Sequence, residues 1–140
     1  MSEETRYIVV TDKGFAGEQS DSNAVLSLEN TANAQEVVKN LDGVERIDVA
    51  FPSFADGRGY SLGMELRRAG YEGHLRAVGH LIADQYAHAR RCGFDDIAIS
   101  AADAERQSES QWLEQIDRVD ATYQTRLDQA AEVASHEGLL

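Results

Sequence analysis

With 140 residues, 42% of them hydrophobic and 27% charged, the chain has the balance of one soluble domain, and no apolar run approaches the length of a membrane span. A net charge of −12 argues against nonspecific binding to nucleic acid or anionic membranes, and it is compatible with docking on a basic partner protein. The one cysteine excludes an internal disulfide and an iron–sulfur cluster held by this chain alone.

The first residues, Met1 to Arg6, lack the basic and apolar regions of a secretion signal, so a cytoplasmic location is expected. Tyr7 to Val10 is a short β-type run, and Thr11 to Asn23, rich in Gly, Ser and Asp, reads as a loop. Ala24 to Leu28 offers a second strand. A helix is predicted over Ala32 to Leu41, with Asn30 and Thr31 as caps and Gly43 as the stop. From Val44 the rhythm is regular. Strand Val44 to Phe51, a glycine turn and helix Ser61 to Ala69 come first. Strand Leu75 to Val78 and helix Leu81 to Arg91 are next, then strand Asp96 to Ser100 and helix Ala104 to Val119. Strand and helix alternating at this spacing predict an α/β fold, a small and mainly parallel sheet of consecutive β-α units, either open or partly barrel-like. Residues 1–124 are expected to form the domain and 125–140 a terminal helix or frayed tail.

Charge is unevenly spread. Between Phe51 and Asp96 six arginines balance six acids, so the rest of the chain carries the whole imbalance. A solvated acidic face is the ordinary explanation, and a docking surface is the functional one.

Strand Val44 to Phe51 runs into Pro52-Ser53-Phe54-Ala55-Asp56-Gly57-Arg58-Gly59-Tyr60-Ser61, which contains the only proline. Glycines at 57 and 59 permit turns that aim backbone N–H groups at one point, and Arg58 adds a planar charged fork. Strand, glycine turn, arginine and helix start together describe an anion cradle. In it Arg58 neutralises a small anion, Gly57 and Gly59 present N–H groups, Ser53, Tyr60 and Ser61 add hydroxyls, and Arg76 is a second cation. Equally weighted is a purely architectural turn in which Asp56 and Arg58 pair with each other.

This turn, with Leu75-Arg76-Ala77-Val78-Gly79, Asp84-Gln85 and Arg91-Cys92-Gly93-Phe94-Asp95, resembles a bacterial family, domain of unknown function 934, from about Asp48 to Ile99. A looser echo lies at Ala121 to Gln124. The family is described as an oxidoreductase component of sulfite reduction, because its genes lie near those for sulfite reductase. The resemblance therefore implies an accessory protein of assimilatory sulfite/sulfate reduction, with sulfite reductase or another sulfur-assimilation protein as partner. Two alternatives stand beside it: an oxidoreductase in its own right with Asp56 or Asp84 as acid–base, or a non-catalytic assembly module docking on the reductase. At the position of His80 the family commonly has Asp, so this chain departs from the pattern there.

Ligands of α/β proteins sit beyond the carboxyl ends of the strands, where Gly79, His80 and Asp84 would face the turn. On a helix from 80 to 92, His80, Asp84 and His88 share one face at a spacing of four. The outer two are then about 12 Å apart, too far for one ion. No metal is expected. Cys92 falls on the buried arc and reads as structural. Trp112, Leu113, Ile116, Val119, Tyr123 and Leu127 form a stripe at helical spacing, a core-facing or dimer-facing helix, the latter implying a homodimer. No nicotinamide or flavin fingerprint is present, so no cofactor is expected.

Overall fold

In a parallel sheet covered by helices, the side chains of alternate residues must find an apolar partner layer, and the strands here alternate accordingly. Ile47, Val49 and Phe51, Leu75 and Ala77, and Ile97 and Ile99 are all buried and point to one face. The computed structural model describes residues 7–18 and 24–119.

Six strands form one sheet: β1 Tyr7–Thr11, β2 Gly14–Glu18, β3 Val25–Leu28, β4 Arg46–Phe51, β5 His74–Gly79 and β6 Asp96–Ser100. Their order is β2-β1-β6-β5-β4-β3. Strands β3 to β6 are parallel and lie side by side in chain order, whereas β1 pairs antiparallel with β6 and with β2. Parallel strands that step in one direction keep their crossovers on one face of the sheet. The crossovers are α1 Ala34–Val37, α2 Arg58–Arg68, and a 3-10 turn Ala83–Gln85 running into α3 Tyr86–Arg91. Helix α4 Ala101–Arg106 comes after β6, and a last helix, α5, covers 109–119. Leu62 and Leu66 of α2, Tyr86 and Ala89 of α3, and Trp112 and Ile116 of α5 close one core with the inward residues of β1, β4, β5 and β6. The expected α/β class and mainly parallel sheet are present, and of the two forms expected, open or partly barrel-like, the sheet is open.

Several boundaries differ, each for a local reason. The loop expected over Thr11 to Asn23 contains β2, because Thr11 closes a tight turn: its Oγ1 accepts from Lys13 N and donates to Gly14 O. A hairpin therefore extends the sheet's β1 edge. The helix expected over 32–41 is one turn long. Asn33 caps it by accepting from Glu36 N, and beyond it the chain closes four-residue turns, such as Lys39 N to Glu36 O and Asn40 N to Val37 O, instead. The helix expected over 81–91 starts later, since Ile82 is extended and Gln85 Oε1 accepts from its N–H. The helix expected over 104–119 divides at Gln107, which is extended. Of the apolar stripe, Trp112 and Ile116 are buried but Leu113 is 39% exposed. Tyr123 and Leu127, the echo at 121–124 and the segment 125–140 lie outside the described residues.

The opposite face of the sheet carries charge. Asp48, Arg76 and Asp96 stand in register on adjacent strands and are all buried. Arg76 Nε and Nη2 donate to the two carboxylate oxygens of Asp96 at 2.8 and 3.0 Å. Arg46 pairs with Asp48 at 2.7 Å, and His74 Nε2 sits 2.9 Å from Asp96. Among the described residues no helix is long and apolar enough to cross a membrane.

Candidate functional site

Two neighbouring parallel strands, β4 and β5, end on the same side of the sheet, but the chain leaves them in different ways. After β4 the turn folds in on itself. Asp56 accepts from Arg58 N and Nε, both at 3.1 Å, from Arg58 Nη2 at 2.8 Å and from Asn30 Nδ2 at 3.0 Å. The side-chain bond from Arg58, and then its backbone N–H, hold the Asp56 carboxyl well below the usual carboxylate range. The same pairing raises the guanidinium's own value. Arg58 is 65% exposed, with its fork committed to this pair.

The remaining cradle residues do not converge on one point. Gly59 is buried, and a Cβ there would stand 2.5 Å from the ring of Phe51, so this glycine exists to let α2 approach β4. Nothing lies within 4 Å of a Cβ at Gly57. Tyr60 N donates to Gly57 O, so that N–H is spent within the turn. The Tyr60 side chain leaves the turn altogether. Its ring packs edge-on against Phe51 at 4.9 Å and tilted against His88 at 4.4 Å, and its buried hydroxyl has no hydrogen-bond partner among the described residues. Burial, with the Cys92 thiol nearby, pushes this phenol up to about 12. Ser61 is exposed, and Ser53 Oγ accepts from Ala55 N. Arg76 belongs to the charged sheet face, paired with Asp96, and does not join the turn. In the cradle predicted at 56–61 the guanidinium of Arg58 is thus paired with Asp56, and the expected second cation, Arg76, is paired elsewhere.

After β5 the chain opens instead. Gly79 has φ +135° and its Cβ position lies 2.3 Å from Phe51 O, a placement only glycine accepts. That close approach lets His80 N donate to Phe51 O at 2.8 Å and delays the helix until Ala83. The result is an open cleft of about 680 Å³ between the β4 and β5 ends, α4 and α5. Ser53, Phe54, His80 and Asp84 line it from one side, and Asp103 and Glu114 from the other. Its rim is held by amides. Gln85 Nε2 donates to Phe54 O at 2.6 Å, and Gln107 bridges two backbone groups, donating to Leu81 O and accepting from Ala83 N.

His80 and Asp84 meet there, as their positions beyond β5 suggest, but not as members of one helix with His88. His80 Nδ1 lies 3.2 Å from Asp103 Oδ2, and Asp84 accepts from Gln115 Nε2 at 3.3 Å. Asp84 pairs with neither Arg58 nor Arg76. Among the described residues no group of three His, Cys, Asp or Glu side chains is placed to hold a metal. Cys92 is buried, 3.7 Å from His88 Nε2, and burial pushes its thiol up.

Asp103, Gln107 and Gln115 are not visible as site residues in the sequence. A signal for the first exists: Ser100 accepts from Asp103 N, the start of a capped helix directly after β6, which brings that helix to the rim. Phe54, 56% exposed on the cleft edge, carries no local pattern that would single it out from its motif.

No curated protein and no solved structure matches the chain. The model of the family described as "Bacterial protein of unknown function (DUF934)" matches residues 25–133, more than half of the chain and the whole of both rims, and the protein belongs to that family.

Proposed function

We propose that this chain is a non-catalytic accessory protein of assimilatory sulfite/sulfate reduction that docks on a partner, sulfite reductase or another sulfur-assimilation protein, through the cleft beyond β4 and β5. The sulfur pathway rests on the family resemblance. The docking reading rests on one observation: the rim's cleft is open and edged by an exposed phenylalanine, while the adjacent arginine turn is closed on its own aspartate. A general base should stand free at the substrate's proton, and Asp56, tied to Arg58 and Asn30, is not so placed.

Growth of a deletion strain on sulfate, sulfite or sulfide as sole sulfur source tests the pathway. Rescue by sulfide alone is expected; equal growth on all three removes the assignment. Binding of purified sulfite reductase by the full chain and by Phe54→Ala tests the docking surface, with the variant expected to bind more weakly. The anion-binding reading keeps one support, the exposure of Arg58. It requires sulfite, sulfate or phosphate to raise the thermal midpoint of the wild type but not of Arg58→Ala. Turnover of a sulfur substrate by the isolated chain would establish the enzyme reading.

A further inference from the structure

We infer that the cleft accepts a basic segment of the partner, an arginine or lysine side chain flanked by an apolar residue. This inference rests on the docking reading above and specifies its chemistry.

Charge on the cleft wall is unbalanced. Asp84, Asp103 and Glu114 face one arginine, Arg106, and one histidine, His80. Both the Arg106 guanidinium and the His80 imidazole already lean on Asp103, at 4.0 and 3.2 Å. Asp84 accepts only from the neutral amide of Gln115, and neither it nor Glu114 has a cationic partner among the described residues. An anionic occupant would meet those two carboxylates at close range, and a purely apolar one would desolvate them unpaired. A cationic occupant alone completes them.

Size and shape agree with this. About 680 Å³ suits a ligand of several side chains, within the roughly 300–1,000 Å³ of sites for drug-sized molecules, and far exceeds a single small oxyanion. Phe54 on the edge offers a ring face to a guanidinium or to its apolar neighbour. The net charge of −12 draws such a segment in from a distance.

The probe is the peptide acetyl-Phe-Arg-Arg-amide, titrated into the isotope-labelled full chain, with acetyl-Phe-Glu-Glu-amide as control. The basic peptide is expected to shift the amide resonances of Ile82, Asp84 and Gln115, leaving Arg58 and Ser61 unmoved. The double variant Asp84→Asn/Glu114→Gln is expected to weaken it about tenfold, and so is added salt. Since Asp84 and Glu114 are exposed, the variants keep the fold; Glu114→Lys alone gives an independent check in the same direction. Equal response to the acidic peptide, or undiminished binding by the double variant, overturns the inference. Purified sulfite reductase separates the two levels. Binding that is lost in Phe54→Ala but unchanged in the double variant leaves the docking site and removes its preference for basic segments. Basic-peptide binding without any reductase binding keeps the preference and removes that partner.

Discussion

The two rims beyond β4 and β5 contain similar ingredients, a glycine, a charged residue and a helix start, yet one is closed and the other open. At the first, residues 52–57 lie between β4 and α2, Gly59 seats that helix on Phe51, and Asp56 and Arg58 satisfy each other within the turn. At the second, Gly79 spends its freedom on the Phe51 carbonyl, the chain bends at His80, and Ile82 is extended before the turn at Ala83. A glycine next to a charge is therefore poor evidence for a ligand unless the adjoining backbone leaves space.

Substitutions can break this comparison. The largest effect is expected at the open rim. Gly79→Ala places a Cβ against a backbone oxygen in a positive-φ conformation and should cost about 3 kcal/mol or more in urea unfolding. Next comes the closed rim. In Gly59→Ala the Phe51 ring has nowhere to swing, being packed against Tyr60 and Phe94, and a loss of about 1–3 kcal/mol is expected. Gly57→Ala, two residues away with open space around it, should lose less than about 1 kcal/mol by the same measurement. Equal costs at 57 and 59 would show that the motif needs its glycines for something other than packing.

The smallest effect sharpens the picture of Tyr60, whose phenol burial raises from 10.0 to about 12. The folded state holds that proton more tightly than the unfolded chain. Its contribution is complete below pH 10 and is lost as pH rises from there towards 12. Tyr60→Phe should be near neutral at pH 7, because the hydroxyl has no partner among the described residues, and should unfold less readily than wild type above pH 10. An identical alkaline profile for both proteins would place the hydroxyl in water.

The parallel half of the sheet was legible because β4, β5 and β6 are apolar runs separated by helix-length spacers, and β6 was located to the residue. The hairpin strand β2 was not, since Gly14-Phe15-Ala16-Gly17-Glu18 has the composition of a loop and is held from outside, where Glu109 accepts from Phe15 N. Asp12 in the same hairpin turn binds Arg90 and the Tyr86 hydroxyl, contacts nearly eighty residues distant that no local pattern announces. At the candidate site, Ser53, His80 and Asp84 were legible from their place after strands. Its far wall was not, because Asp103 comes in on a helix capped by Ser100, and Glu114 and Gln115 lie on α5 after the break at Gln107. The turn of Asp56 to Ser61 was conspicuous in sequence for the opposite reason: its residues are constrained by one another.

The ladder of Asp48, Arg76 and Asp96 has a consequence for how the strands choose their alignment. In a parallel sheet a slip of one residue exchanges the two faces of a strand. For β5 it would drive the Arg76 guanidinium among Ile47, Val49 and Ile97 and lift Leu75 onto the charged side. Hydrophobic side chains alone would tolerate several offsets; three interleaved ions tolerate one. These buried charges act as a proofreading device for assembly, and they secure the alignment on which the placing of both rims depends.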